Sequence, residues 1–256
     1  MGLPRYYSSL TSCRSLLDTG RGTLTYHHVG TAPRGARIKG LYVRPRLFAR
    51  QMAELAAAGF AAPQYDELVA SEPGAGPRLF LTFDDGFRDV LEHALPVLQR
   101  HRFKAIQFLV ADRLGGVSDW QAPSGEVTAP VMSAGQVHEW LAAAQDIGSH
   151  TLSHPYLTRI PVAQAREEIG ASKRRLEDLF GREIRHFCYP YGEWDPRIRE
   201  LVEGAGYRTA CTTQFGGNAP PFDPLTLQRL TARYPSRGWR TVRAWLRGKL
   251  AGSARG

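Results

Sequence analysis

Apolar residues along the chain change period repeatedly, and each change marks an element. Between Pro45 and Ala58, Leu47, Phe48, Met52 and Leu55 recur at helical spacing, with Pro45 near the start and Gly59 at the stop. Leu79 to Phe83 (LFLTF) lacks that period and predicts a short buried strand ending in polar residues. A helix over roughly 88–101 and an apolar strand from Ala105 to Val110 follow. Ser133 and Gln136 form an S-x-x-Q capping box ahead of a helix through Ala144, and Gln145 to Ser149 returns as a strand. Val162, Ala165, Ile169, Leu176 and Leu179 mark a long amphipathic helix closed by Gly181. His186–Tyr189 and Tyr207–Cys211 read as strands on either side of a helix capped by Asp195-Pro196 and running to about Gly204. Near the start, Gly22 to His28 (GTLTYHH) is predicted as the first strand.

Strand and helix signals that alternate in this way imply parallel βαβ units. In such sheets and barrels the functional groups sit at the carboxyl ends of strands. Three predicted strands end in chemically loaded runs: TFDDG, GSHTLSH and CYPYG. The stretch 115–131 is a long loop, placed to form a rim or lid over that face.

Composition narrows the picture. A chain of 256 residues suits a single α/β barrel, and 43% hydrophobic with 22% charged residues is ordinary for a globular protein with a core. No stretch approaches the roughly 18 consecutive apolar residues of a membrane span, and the N-terminal residues lack the pattern of a secretory signal. Cys13, Cys188 and Cys211 show no paired spacing, which fits a reducing compartment, so a cytoplasmic location is expected. A net charge of +9 points to an anionic partner: nucleic acid, an anionic membrane face or a phosphate-bearing substrate. No nucleic-acid-binding motif accompanies the charge, and nucleic acid is not expected.

Asp84 and Asp85 are adjacent in TFDDG. Neighbours on a strand point to opposite faces, but a turn at Gly86 lets both carboxylates reach one site. Two carboxylates in one apolar-walled pocket repel unless a cation neutralises one. His150 and His154, four apart in HTLSH, can converge on one metal. One of the two carboxylates with both imidazoles makes a three-ligand set with an open position, as in catalytic rather than structural metal sites. Such a set suits a divalent metal, zinc first, with cobalt, nickel and iron also compatible.

With Tyr189-Pro190-Tyr191-Gly192 as a third motif, the chain resembles the polysaccharide deacetylases with the NodB homology domain, carbohydrate esterase family 4. The resemblance covers roughly residues 20–235. It implies an α/β fold, a distorted (β/α) barrel of about seven parallel strands. The expected organisation is an N-terminal extension over 1–20, a catalytic domain over 21–235 and a basic amphipathic tail over 236–256. The resemblance also implies Asp85, His150 and His154 as metal ligands and Asp84 as the base that takes a proton from attacking water. It places the backbone N–H of Tyr191 against the oxyanion. The implied substrate is an acetylated sugar, glycoside or lipid-linked glycan precursor, carrying an N-acetyl or O-acetyl group.

Two positions depart from the family pattern. Many members open the third motif with an Arg that pairs with the base, where this chain has Cys188. A thiol cannot make that contact, and Arg229 in LTLQRL, on a late predicted strand, is the expected replacement. The late histidine that usually supplies the general acid is also missing, since no histidine follows His186. Tyr26-His27-His28-Val29 is similar to the Tyr-His segment of circularly permuted poly-N-acetylglucosamine deacetylases, which implies His27 as general acid. His28 is the alternative, and a structural role for both is equally open.

His93, His101, His138 and His186 have no partner at ligand spacing and are expected on the surface or in the core. Tyr191 and Trp194 suit either a sugar face or the core. Cys188 is expected as a small buried filler. In the tail, Arg237–Gly256, Trp239, Val242, Leu246 and Leu250 fall along one helical stripe with basic residues largely off it. That pattern suits peripheral contact with an anionic membrane, or equally a final barrel helix. Competing functions are hydrolysis of an imide or formamide on the same barrel, and a non-catalytic carbohydrate-binding protein. The latter predicts loss of a ligand or base, yet Asp84, Asp85, His150 and His154 are all present.

Overall fold

The computed structural model describes residues 21–69 and 76–231. The expected extension over 1–20, the tail over 236–256 with its proposed membrane stripe, and Cys13 lie outside the described residues.

Among the described residues nine strands form: β1 (Gly22–Tyr26), β2 (His28–Val29), β3 (Tyr42–Val43), β4 (Leu79–Phe83), β5 (Ala105–Leu109), β6 (Asp146–Ser149), β7 (His186–Cys188), β8 (Thr209–Cys211) and β9 (Leu230–Thr231). Seven of them make one parallel sheet in the order β8-β7-β6-β5-β4-β1-β9. The sheet curls because one segment touches both of its edges. Leu227 bridges to Cys211 on β8, and three residues later Leu230 pairs with Leu24 on β1. The result is the distorted (β/α) barrel that the family resemblance implies, built from the parallel βαβ units that the alternating pattern predicts.

Side-chain alternation divides the core into two layers. Phe80, Ile106, Phe108, Cys188, Cys211 and Leu227 fill the barrel interior, with Tyr65 and Leu68 packed among them. Odd-numbered neighbours such as Leu79, Leu81, Phe83, Ala105 and Leu109 face the helical layer instead. On β4 the inward positions run Phe80, Thr82 and then Asp84, so the strand's own period delivers Asp84 to the mouth.

The helices are α1 (Pro45–Ala57), α2 (Leu95–His101), α3 (Ala134–Ala142), α4 (Val162–Phe180) and α5 (Pro196–Gly204). The capping box forms as predicted: Ser133 accepts from the Gln136 amide, and the Gln136 side chain binds the Ser133 amide. Gly181 closes α4 in the left-handed conformation.

Two predicted elements are interrupted. The strand expected over Gly22–His28 stops at Tyr26, and His28 starts a separate two-residue ladder with β3. The helix expected over 88–101 opens into a π turn at Val90–Ala94 before α2. Pro96 explains the second break: it cannot donate the i→i−4 bond, and a widened turn absorbs the vacancy.

Gly148 on β6 leaves no room for a side chain. A Cβ there would sit 2.6 Å from the Phe108 ring and 2.8 Å from the His186 carbonyl oxygen. Gly148→Ala is expected to destabilise the barrel by about 1–3 kcal/mol, measured by denaturant unfolding, and an unchanged midpoint would contradict this packing.

Candidate active site

The mouth of the barrel is built from turns in an unusual backbone conformation. Six described non-glycine residues have positive φ, and four of them lie here: Asp85 (75°), Thr151 (69°), His154 (67°) and Tyr191 (60°). Each such residue costs on the order of 1–3 kcal/mol, so the surroundings must hold it. Asp85 and Gly86 (φ 78°) are left-handed in succession, which turns the Asp85 carboxylate back toward the mouth that Asp84 already faces. After β6, Thr151 Oγ1 accepts from the His154 amide at 3.0 Å. The Glu168 carboxylate of α4 accepts from the amides of Leu152 (3.0 Å) and Ser153 (2.9 Å) and from the Ser153 hydroxyl (2.5 Å).

These turns bring Asp85, His150 and His154 together, all buried. Asp85 Oδ1 lies 3.4 Å from His150 Nε2 and 3.3 Å from His154 Nε2, and it has no hydrogen-bond donor. Ligand atoms about 2.0–2.1 Å from a tetrahedral metal are about 3.3–3.4 Å apart, so the spacing suits a shared cation. The other nitrogen of His150, Nδ1, meets the Cys188 carbonyl at 2.7 Å, which turns Nε2 inward. Burial alone would raise the Asp85 carboxyl, but contacts with His150 and His154 hold it well below the usual carboxylate range. Burial lowers His154, which favours the neutral imidazole that binds metals. The three groups fit a divalent metal in geometry, and Asp85 and His154 fit it in protonation as well.

Asp84 faces a different partner. The buried guanidinium of Arg229 grips it in a fork, Nη1 to Oδ1 and Nη2 to Oδ2, each at 2.8 Å. The remaining donors of Arg229 reach Thr82 Oγ1 (3.0 Å), the Thr212 carbonyl (2.8 Å) and Cys188 Sγ (3.2 Å). Burial pushes the Asp84 carboxyl up, yet Arg229 and then His27 bring it below its ordinary 3.8. Arg229 itself is held well above its ordinary value, because Asp84 and its neighbours outweigh its own desolvation.

A second set of donors, Asp84, His150 and Cys188, is equally close-packed and shares His150. Arg229 spoils it. Both Asp84 oxygens are occupied, and burial pushes the Cys188 thiol far above its usual range, so it stays neutral.

The two N-terminal histidines separate. His27 Nε2 lies 3.7 Å from Asp84 Oδ2, beyond hydrogen-bond reach but in the mouth. Burial lowers its pKa despite the attraction of Asp84 and Asp85. His28 turns the other way: it binds Asp89 at 2.8 Å, and its ring stacks on Tyr42 (4.1 Å) and Phe87 (3.5 Å). That packing makes His28 a wall residue, turned toward Asp89 rather than Asp84.

Among the other expected positions, Tyr191 stacks on Tyr156 at 3.7 Å, so that ring meets another aromatic where a sugar face was one expectation. Trp194 packs against the outer core. His93 and His138 are exposed and His101 is half-buried. His186 is buried, bonded to Thr209 at 2.9 Å. Two residues at the site escaped sequence reasoning. Trp120, in the 115–131 loop, stacks on His154 at 4.9 Å. Glu168 had a visible signal: a charged residue on the apolar stripe of a helix, between Ala165 and Ile169.

A family model described as polysaccharide deacetylase matches residues 71–210. The chain belongs to the polysaccharide deacetylase family. Chitooligosaccharide deacetylases are among its relatives. That of Bradyrhizobium is 25% identical over 130 residues, 50% of this chain and 52% of the relative. That of Azorhizobium caulinodans is 36% identical over 63 residues, 24% of this chain and 30% of the relative. The chain spans about half or less of the length of these relatives. The deacetylase PplD of Streptococcus pyogenes, solved with acetate, superposes with a TM-score of 0.71 at 21% identity, over 84% of this chain and 92% of that one. IcaB of Ammonifex degensii gives 0.71 at 23% identity, over 88% and 95%. At these identities the structures establish the shared fold.

The pairing of Asp84 with Arg229 has a stability signature. A carboxyl depressed in the folded state contributes stability that is present above its ordinary 3.8 and lost as pH falls through its lower, folded value. Arg229→Met strands Asp84 as a buried, unpaired charge at neutral pH, while mild acid neutralises it. The variant is expected to lose about 3–5 kcal/mol of unfolding free energy at pH 7, with a smaller deficit near pH 4. Denaturant titrations at both pH values check this, and an equal deficit at both would contradict the pairing.

Proposed function

We propose that the protein is a divalent-metal-dependent deacetylase that hydrolyses an N-acetyl group on a sugar. The observation that carries this reading is the division of labour at the mouth: Asp85, His150 and His154 gather on one point, while Asp84 is kept apart by Arg229. A metal held by Asp85, His150 and His154 would supply Lewis-acid polarisation of the acetyl carbonyl and of the attacking water. The mixed imidazole and carboxylate set suits zinc, and cobalt, nickel or iron as well.

The chain's own groups account for the protons. Asp84, ionised at neutral pH, accepts a proton from water as the water oxygen bonds to the carbonyl carbon. In this reading the backbone N–H of Tyr191 donates to the developing oxyanion. His27 is neutral at rest because burial lowers it, so it must gain its proton during turnover. Asp84, 3.7 Å away and the weaker base, is the natural source. His27 then protonates the leaving nitrogen as the C–N bond breaks, giving acetate and a free amine.

The chitooligosaccharide deacetylases among the relatives support an N-acetylated amino sugar over an O-acetyl ester. The absence of paired cysteines is consistent with a cytoplasmic site of action. There, a lipid-linked glycan or small glycoside is a more natural substrate than finished polymer, with the basic stretch 237–256 as a candidate membrane contact.

Acetate release from N-acetylglucosamine oligomers, assayed with metal-stripped and metal-restored protein, tests the reading. The stripped protein is expected to be inactive and the restored one active. Asp84→Asn should lower kcat by about 10²–10⁴-fold with metal still bound, and His27→Ala should also lower turnover. Acetate release unaffected by stripping, or near-full turnover in Asp84→Asn, would overturn it.

A further inference from the structure

The two histidines facing Asp85 are oriented by different means. A histidine that binds a metal through one ring nitrogen ordinarily donates the other N–H to a carbonyl or carboxylate, which fixes the ring. His150 follows this pattern through the Cys188 carbonyl at 2.7 Å. The corresponding Nδ1 of His154 is buried and has no hydrogen-bond partner on any other described residue; its own backbone alone is within reach.

Aromatic rings surround His154 instead. The Trp120 indole lies nearly parallel to the imidazole, centroids 4.9 Å apart at 25°. The Tyr191 ring meets it edge-on, 4.6 Å away at 75°. Each ring is itself secured. Tyr191 stacks on Tyr156 at 3.7 Å and 6°, and the Arg159 guanidinium sits 4.0 Å over the Tyr156 ring. Arg159 is tethered by Glu193 at 2.6 Å. Trp120 packs toward Phe87 at 6.4 Å. The loop that carries Trp120 is latched at its far end, where the Glu126 carboxylate accepts from the amides of Arg37 (3.1 Å) and Ile38 (2.8 Å).

We infer that Trp120 and Tyr191 are positioning residues for His154: their rings clamp the imidazole and hold Nε2 on Asp85 Oδ1, in place of the missing hydrogen bond. Aromatic contact restricts ring rotation without a polar partner. The rim loop thereby becomes part of the metal-binding apparatus. The inference rests on the metal reading of the site, and it predicts that metal affinity depends on a residue that offers the metal no ligand atom.

The test is Co²⁺ binding to the full chain, measured by competition with a chromophoric chelator together with the visible absorption of the bound ion. Trp120→Ala is expected to weaken Co²⁺ binding by about 10–100-fold and to alter the absorption bands, whereas Trp120→Phe keeps a flat ring and recovers most of the affinity. Tyr156→Leu, which removes the support of Tyr191 without touching His154, should move affinity in the same direction and guards against a Trp120→Ala protein that fails to fold. Equal affinity and identical spectra in wild type, Trp120→Ala and Tyr156→Leu would overturn the inference and leave the metal reading intact. Failure of the wild type to take up Co²⁺ would overturn the metal reading and the inference with it.

Discussion

The fork between Arg229 and Asp84 is the interaction on which the site depends. Two sets of donors overlap at the barrel mouth, one with Asp84 and Cys188 and one with Asp85 and His154, and both include His150. The guanidinium occupies both Asp84 oxygens and rests against Cys188 Sγ, so only the second set remains open to a cation. Burying such a pair is costly, and the cost is offset only when the remaining donors find partners. Thr82 and the Thr212 carbonyl supply them. The location matters as much as the chemistry. Arg229 belongs to the segment that bridges to β8 and pairs with β1, so closing the barrel and restraining Asp84 are one event.

The rest of the mouth is strained backbone held from outside. Asp85, Thr151, His154 and Tyr191 adopt left-handed conformations that only a rigid setting tolerates. Glu168 fastens the turn between the two histidines from α4. Around Tyr191, Tyr156 packs on one side, and Thr213 donates to its carbonyl oxygen at 3.2 Å. Gly192 allows that approach, since a Cβ would collide with Thr213. A chain that built these turns on flexible loops would lose the register between Asp85 and the two imidazoles.

Much of this was legible in the sequence because it depends on local periodicity. Helical stripes, the capping box at Ser133 and the strand-end runs TFDDG and HTLSH are short-range signals. The proximity of Arg229 to Asp84 was also accessible, by reasoning about charge: a buried carboxylate needs a cation, and Cys188 cannot provide one. What stayed hidden depends on how side chains meet in three dimensions. His27 and His28 are adjacent and chemically identical, and only the bend after Tyr26 sends one to Asp84 and the other to Asp89. The π turn at Val90–Ala94 leaves no separate mark in the apolar pattern of that helix, and Trp120 looks like any loop aromatic until its ring is placed over His154.

The most direct measurement of the central claim is X-ray absorption at the zinc edge of the metal-loaded protein. With Arg229 holding Asp84 and Cys188 out of reach, the first shell should contain nitrogen and oxygen scatterers alone, at about 2.0–2.2 Å, with imidazole outer-shell features from two histidines. A sulfur scatterer at about 2.3 Å would place Cys188 on the metal and contradict the partition of the site.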